Sequence, residues 1–313
     1  MKQDQLLKLG LYGTAIGDAL GQGYLQCKHD SLDMYKGIYH TPAGTWSDDT
    51  SISLVFMDNL LQNNDYHMIM DSLINWHQYG LYTPYYKAFD VGQSTKDAIN
   101  LYQDDRQHYW ENIKEMLSDQ DNGNGALMYM LPISIILNDQ NDNDNQSSKL
   151  KIFQRVIQLS QLTKHSYRST LACLIYFNLL TLIINSKNYS NNYLQQAVNN
   201  AFKLIHNYNL TTLINEQNYF EPLLTASFYQ KTLSQLSASG YVIDTLFCVW
   251  NILHQTTKFN NAINLAVNLN GDVDTIAGLI GGIIAIINRN IPQQWLNKLQ
   301  GKNVLNFYLN KTN

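Results

Sequence analysis

Asn270-Gly271-Asp272-Val273-Asp274-Thr275 runs directly into Ile276–Ile287, a stretch of isoleucine, leucine, alanine and glycine only. A helix that is apolar on every side belongs at the centre of a core. Its start carries two carboxylates and a hydroxyl. A second segment of the same type lies near the other end of the chain. Gly44-Thr45-Trp46-Ser47-Asp48-Asp49-Thr50 opens a helical pattern over 48–62, with Ile52, Phe56 and Leu60 on one face and Val55 beside them. Taken singly, each motif is explained as a helix cap, because Ser and Asp satisfy free N–H groups and suit the helix dipole. Two matched motifs, each beside glycine and each feeding a core helix, favour one shared site. Four carboxylates brought together raise each other's pKa unless a cation intervenes. All-oxygen ligands select a hard divalent ion, Mg²⁺ or Mn²⁺ rather than Zn²⁺.

Outward from these motifs the pattern stays helical, which predicts an all-α fold. Helices are expected over 4–24, 66–79, 93–103, 125–137, 150–162, 167–186, 190–207, 221–236, 241–255, 258–269 and 274–289, with a short last helix after Pro292. Gly13, Gly17 and Gly21 recur at four-residue spacing in the first helix. Glycine weakens a helix by about 1 kcal/mol relative to alanine, so a regular stripe implies close contact with a backbone or a ligand. Gly278 and Gly282 repeat the theme, and the two glycine-bearing helices are expected to cross. Residues 138–149 hold no apolar side chain. Since helical texture continues on both sides, they are expected to form a polar surface loop within one domain spanning 1–313.

The chain has 313 residues, 45% hydrophobic, 15% charged, with a net charge of −4. That is enough to bury a large core, and it offers no basic footprint for nucleic acid. Cys27, Cys173 and Cys248 sit in apolar surroundings and are expected to be buried free thiols in a reducing compartment. The N-terminal residues lack a secretory signal pattern. The apolar stretches Leu171–Ile184 and Ile276–Ile287 fall short of the roughly 20 residues needed to span a bilayer. A cytoplasmic location and no membrane partner are therefore expected.

Weaker signals lie between the acidic motifs. Gly123-Asn124-Gly125 precedes a helix expected to start near Ala126, where free N–H groups unobstructed by Cβ atoms suit a phosphate. Alone, it reads as a plain loop with a glycine cap. Asp90, in Asp90-Val91-Gly92, precedes another helix and has a capping explanation. His165 lies between two helices. Asp244 reads as structural, and His67, His77 and His254 lack metal-ligand spacing. Nucleophile-elbow, P-loop and dinucleotide fingerprints are missing.

In this order the segments resemble the ADP-ribosylglycohydrolase family, which includes the dinitrogenase-reductase-activating glycohydrolase and the ADP-ribosyl-acceptor hydrolases. The resemblance rests on Gly17-Asp18-Ala19-Leu20-Gly21, the Gly44–Thr50 motif, Phe89-Asp90-Val91-Gly92, Gly123-Asn124-Gly125-Ala126-Leu127-Met128, Thr163-Lys164-His165, the stretch from Ser239 to Leu246, and that from Ala266 to Ile276. It implies a single many-helix domain around two divalent cations, Mg²⁺ or Mn²⁺, held by Ser47, Asp48, Asp49, Asp272, Asp274 and Thr275. It also implies hydrolysis of the C1″ bond joining ADP-ribose to a modified protein side chain or small molecule. Asp90, Asp49 and Asp274 are the candidate bases; Gly123, Asn124 and Gly125 would hold the diphosphate, and His165 would contact the ligand. Three positions depart from the family pattern. Ser47 stands for the usual Thr, Tyr129 for a frequent Arg, and Leu25, followed by Gln26, for a glutamate. The last departure motivates a second expectation, an ADP-ribose-binding member with weak or no turnover. A structural member without metal is the remaining rival.

Overall fold

A computed structural model describes residues 1–116, 122–140, 146–163 and 166–312. The helices of the first half are α1 (Gln3–Gln22), α2 (Asp48–Leu61), α3 (Tyr66–Tyr79), α4 (Gln93–Asp104), α5 (Tyr109–Glu115), α6 (Met130–Asp139) and α7 (Gln146–Ser160). Then follow α8 (Tyr167–Ile184), α9 (Asn192–Asn207) and two single turns, α10 (Thr211–Ile214) and α11 (Ala226–Tyr229). The chain continues through α12 (Val242–Gln255), α13 (Phe259–Val267), α14 (Val273–Asn288), α15 (Gln293–Lys298) and α16 (Lys302–Leu309). Among the described residues β pairing is limited to two isolated bridges, Gly123 with Tyr241 and Ala238 with Gly271. The fold is all-α, as its periodicity predicts.

Helices α1 and α14 form its axis, and their backbones touch. A Cβ placed on Gly17 would lie 2.0 Å from the carbonyl oxygen of Ala277, and one on Gly13 would lie 2.4 Å from that of Gly281. At Gly21 it would meet the Asp274 Cα at 2.3 Å. The expected crossing is present, and Gly282 packs tightly on α1, where an added Cβ would lie 2.5 Å from Thr14 Oγ1, but the other contact on α14 falls elsewhere. Gly281 makes the backbone contact, whereas a Cβ on Gly278 would find ordinary room at 3.6 Å. The reason is the face each residue occupies: Gly281 lies on the line from Asp274 through Ala277, the line that meets α1.

Several boundaries depart from the periodicity. The segment expected to be helical from 125 begins its helix only at Met130, because the chain before it closes in three-residue turns, Leu127 N–H to the Asn124 carbonyl at 2.7 Å and Met130 N–H to the Leu127 carbonyl at 3.0 Å. The pattern over 221–236 breaks into short turns. Pro222 lies in the first of them, and Thr225 is extended, capping α11 through Phe228 N–H. Helices α5 and α16 fell outside the expected set. The polar segment 138–149 is helical at both ends, since α6 runs to Asp139 and α7 starts at Gln146; residues 141–145 lie outside the described residues.

Helix α8 is longer than its apolar stretch suggested. It spans 18 residues with mean hydropathy 1.5, long and apolar enough to cross a membrane, and 72% of it is buried within the protein. It packs against α6, α7, α9 and α12. Cysteine placement also differs from expectation. Cys173 and Cys248 are buried, whereas Cys27 is exposed, because it falls in the turns after α1 rather than in a helix.

Candidate metal centre

The two acidic motifs meet where α1, α2 and α14 converge. Ser47 caps α2, its Oγ accepting Asp49 N–H at 3.3 Å. This turns Asp48 and Asp49 into the first turn of a buried helix. Thr275, in the first turn of α14, donates its hydroxyl to both oxygens of Asp49, at 3.2 and 3.1 Å. Asp272 occupies the N-cap position of α14 but makes no capping bond; its carboxylate accepts Asn124 Nδ2 at 2.6 Å instead. The simple capping explanation therefore holds for Ser47 and fails for Asp272.

A third contributor comes from α1. Asp18 is fully buried, and its carboxylate accepts Ser47 N–H at 3.0 Å, Thr50 N–H at 3.2 Å and the Thr50 hydroxyl at 2.6 Å. One carboxylate oxygen from each of Asp18, Asp49 and Asp274 lies within 4.8 Å of the others. Asp48 and Asp272 fall outside that tightest group, although both act on its charges. Burial pushes the Asp18 carboxyl up to about 7 against the pull of its hydrogen bonds. Burial, and then neighbouring carboxylates, raise Asp48, Asp49 and Asp274 well above the usual range. Asp274 Oδ1 is buried with no hydrogen-bond partner. Three converging carboxylates, one with an orphaned oxygen, form an all-oxygen donor set that fits a hard divalent cation.

Asp90 lies at the edge of this centre and caps nothing, since Gly92 occupies the N-cap of α4. Its backbone is left-handed, with φ +56°. Tyr39 donates its hydroxyl to Asp90 Oδ1 at 2.5 Å, and Gln22 Nε2 donates to Oδ2 at 2.8 Å. The same Gln22 nitrogen donates to Asp274 Oδ2 at 2.6 Å. Sequence reasoning missed Asp18, Gln22 and Tyr39 as members of the site. A signal for two of them existed: Thr14, Asp18 and Gln22 repeat every four residues beside the glycine stripe, and all three are buried.

The Gly123–Gly125 segment is not a helix N-terminus, because four residues of turn separate Gly125 from the α6 helix proper. The helix-dipole argument for a phosphate there does not hold. What the segment does offer is space, since a Cβ on Gly125 would meet nothing within 4 Å. His165 lies outside the described residues. Tyr129 is not at the surface of the site; it is fully buried, stacked on Phe56 at 3.9 Å, with its hydroxyl against Thr163. Leu25 packs on the core just past the end of α1, so no carboxylate enters the centre from there.

The model of the family described as ADP-ribosylglycohydrolase matches residues 3–310. The chain belongs to this family. Among characterised ADP-ribosylglycohydrolase relatives, it is 28% identical over 304 residues to the ADP-ribosylarginine hydrolase Tri1 of Serratia proteamaculans, covering 93% of this chain and 74% of that protein. It is 26% identical to the Tri1 of Pseudomonas putida, with coverages of 93% and 73%. The ADP-ribosyl-[dinitrogen reductase] glycohydrolase of Rhodospirillum rubrum is 23% identical, over 93% of this chain and 88% of its own length. A solved structure described as an ADP-ribosylglycohydrolase-related protein complex shares the ADP-ribosylglycohydrolase fold, with a TM-score of 0.72 at 21% identity, covering 99% of this chain and 98% of that one.

Proposed function

We propose that this chain is a divalent-cation-dependent hydrolase that releases ADP-ribose from ADP-ribosylated arginine. The observation that carries the reading is the convergence of Asp18, Asp49 and Asp274, buried and with raised pKa values. The arginine acceptor is supported by the two Tri1 relatives, named as ADP-ribosylarginine hydrolases. Ser47, Asp48, Asp49, Asp272, Asp274 and Thr275, joined by Asp18, would hold Mg²⁺ or Mn²⁺, as a pair of ions in the fuller reading. When bound, the metal supplies Lewis acidity and neutralises the carboxylates.

The chain's own groups do the rest. Water adds at C1″ as the bond to the guanidine nitrogen breaks, through an oxocarbenium-like transition state. Asp90, at the edge of the centre, accepts the proton released by the attacking water, and the departing nitrogen takes up a proton. Asp49 and Asp274 are the other carboxylates in reach of that proton. Asn124 fixes the Asp272 carboxylate, and the open face of Gly123–Gly125 gives the diphosphate room. Three unpaired cysteines support a cytoplasmic location.

The test is a panel of arginine-, serine- and base-linked ADP-ribose conjugates, each incubated with Mg²⁺, Mn²⁺ or a chelator. Release of ADP-ribose from the arginine conjugate, lost on chelation, is expected; release that ignores the chelator would refute the metal assignment. Leu25 favours a second reading, an ADP-ribose binder with little turnover. That reading predicts cation-dependent thermal stabilisation by ADP-ribose with no release from any conjugate.

A further inference from the structure

Gln22, the last residue of α1, is a long polar side chain only 2% exposed. We propose that it is a positioning residue for Asp90: its amide locks the Asp90 carboxylate to Asp274 across the mouth of the acidic centre. This rests on the hydrolase reading above, with Asp90 as the proton acceptor.

The geometry is specific. Nε2 forks to Asp90 Oδ2 at 2.8 Å and Asp274 Oδ2 at 2.6 Å, so both amide protons are committed to carboxylates. The amide oxygen has no partner and is buried, so the side chain satisfies the two carboxylates rather than itself. That oxygen lies against Gly37, where an added Cβ would come within 3.3 Å of it and 2.7 Å of the Gln22 carbonyl. A glycine at 37 thus gives the amide its place.

Asp90 needs such a hold. It sits in a left-handed backbone on the segment between α3 and α4, and its other oxygen is tied to Tyr39, a residue more than a third exposed. Among the described residues, Gln22 is the one link from its carboxylate's hydrogen bonds to the helical framework. A neutral amide suits the task, because it donates to both carboxylates without adding a charge between them. A carboxylate at 22 could donate nothing and would repel both. No carboxylate arrives from Leu25 either, so Asp90 and Asp274 must be aligned by a donor, and Gln22 is that donor.

Gln22→Met keeps length and burial while removing the donor, and Asp90→Gly removes the carboxylate with a residue that accepts the left-handed backbone. On an arginine conjugate, Gln22→Met should lower kcat by about 10²-fold, the effect expected when a reacting group is misplaced by about 1 Å, with KM within about twofold. The double variant should be no slower than Asp90→Gly alone. The same four proteins, metal-free, should show non-additive effects in urea unfolding, since the Gln22 donor is lost to Asp90 only once. Full turnover by Gln22→Met, or rate losses that multiply in the double variant, would overturn the proposal. Should the wild type release nothing from any conjugate, the hydrolase reading fails by itself. The unfolding cycle then decides the Gln22–Asp90 link, with additive effects refuting it.

Discussion

Thr50 and Asp18 are joined twice: the Thr50 backbone N–H and hydroxyl both reach Asp18 Oδ2, at 3.2 and 2.6 Å. A carboxylate from near the C-terminal end of α1 therefore closes the N-terminus of α2, where the helix dipole favours an anion. The same group faces Asp49 and Asp274, so one side chain both caps a helix and completes the acidic centre.

The raised carboxylates set the pH dependence of the metal-free protein. Their folded pKa values lie above the unfolded value, so the folded state binds more protons than the unfolded state between about pH 4 and 7. Stability from these groups is fully present below the unfolded carboxylate pKa and is lost as pH rises through the folded one, about 7 for Asp18. The lowered Asp33 and Asp105 act in the opposite sense, but both are only partly buried and so screened by solvent. Thermal scans in chelator should show the melting temperature falling from about pH 5 to 7.5. The gain on adding Mg²⁺ should grow over the same interval. A chelated protein that becomes more stable with rising pH would count against the clustered charge.

Asp272→Asn should weaken Mn²⁺ binding and turnover together while leaving the helical fold, because the residue caps nothing in α14. A loss of roughly 10–100-fold in metal affinity is expected, the usual cost of disturbing groups that support a metal site. Calorimetric titration with circular dichroism separates the two effects. Unchanged activity at limiting Mg²⁺ would contradict the assignment.

Asp90→Asn should slow hydrolysis by roughly 10²–10⁴-fold, the usual worth of general-base catalysis. Asparagine tolerates the left-handed backbone, so stability should hold. ADP-ribose affinity, measured separately, should stay close to wild type. Surviving turnover would move the proton-accepting role to Asp49 or Asp274.

Gly17→Ala places a methyl group where the Ala277 carbonyl already stands, 2.0 Å away. The helices must part, costing about 1–3 kcal/mol or more for an overpacked contact. Urea unfolding should show that loss, and Mn²⁺ affinity should fall with it, because Asp18 and Asp274 ride on the two displaced backbones. Gly125→Ala, by contrast, should leave stability within about 0.5 kcal/mol.

Much of this was legible in the residues. Ser47, Asp49, Asp274 and Thr275 stand beside each other because two short motifs each begin a helix that must be buried, and burial leaves one common place for both. The glycine stripe on α1 announced a backbone contact, though periodicity alone could not choose Gly281 over Gly278. Asp18 and Gln22 escaped because a polar residue inside a helix is usually solvated; only their alignment with Thr14, beside the stripe, gave them away. Tyr39 carries no local signal at all, since its meeting with Asp90 depends on two loops. The Gly123–Gly125 segment gives a misleading signal, since glycine before an apolar run looks like a helix start, whereas tight turns from Asn124 hold the helix off until Met130.

The contact of α1 with α14 has a further consequence for how this centre is built. Side chains at an interface can repack, so a spacing that they set drifts as residues are exchanged. Here Gly17 meets the Ala277 carbonyl and Gly21 meets the Asp274 Cα, so main chain rests on main chain. The gap between Asp18 and Asp274 is thus gauged by peptide groups, which have the same dimensions in any sequence. The surrounding core can vary widely while the instrument that measures out the acidic centre keeps its calibration.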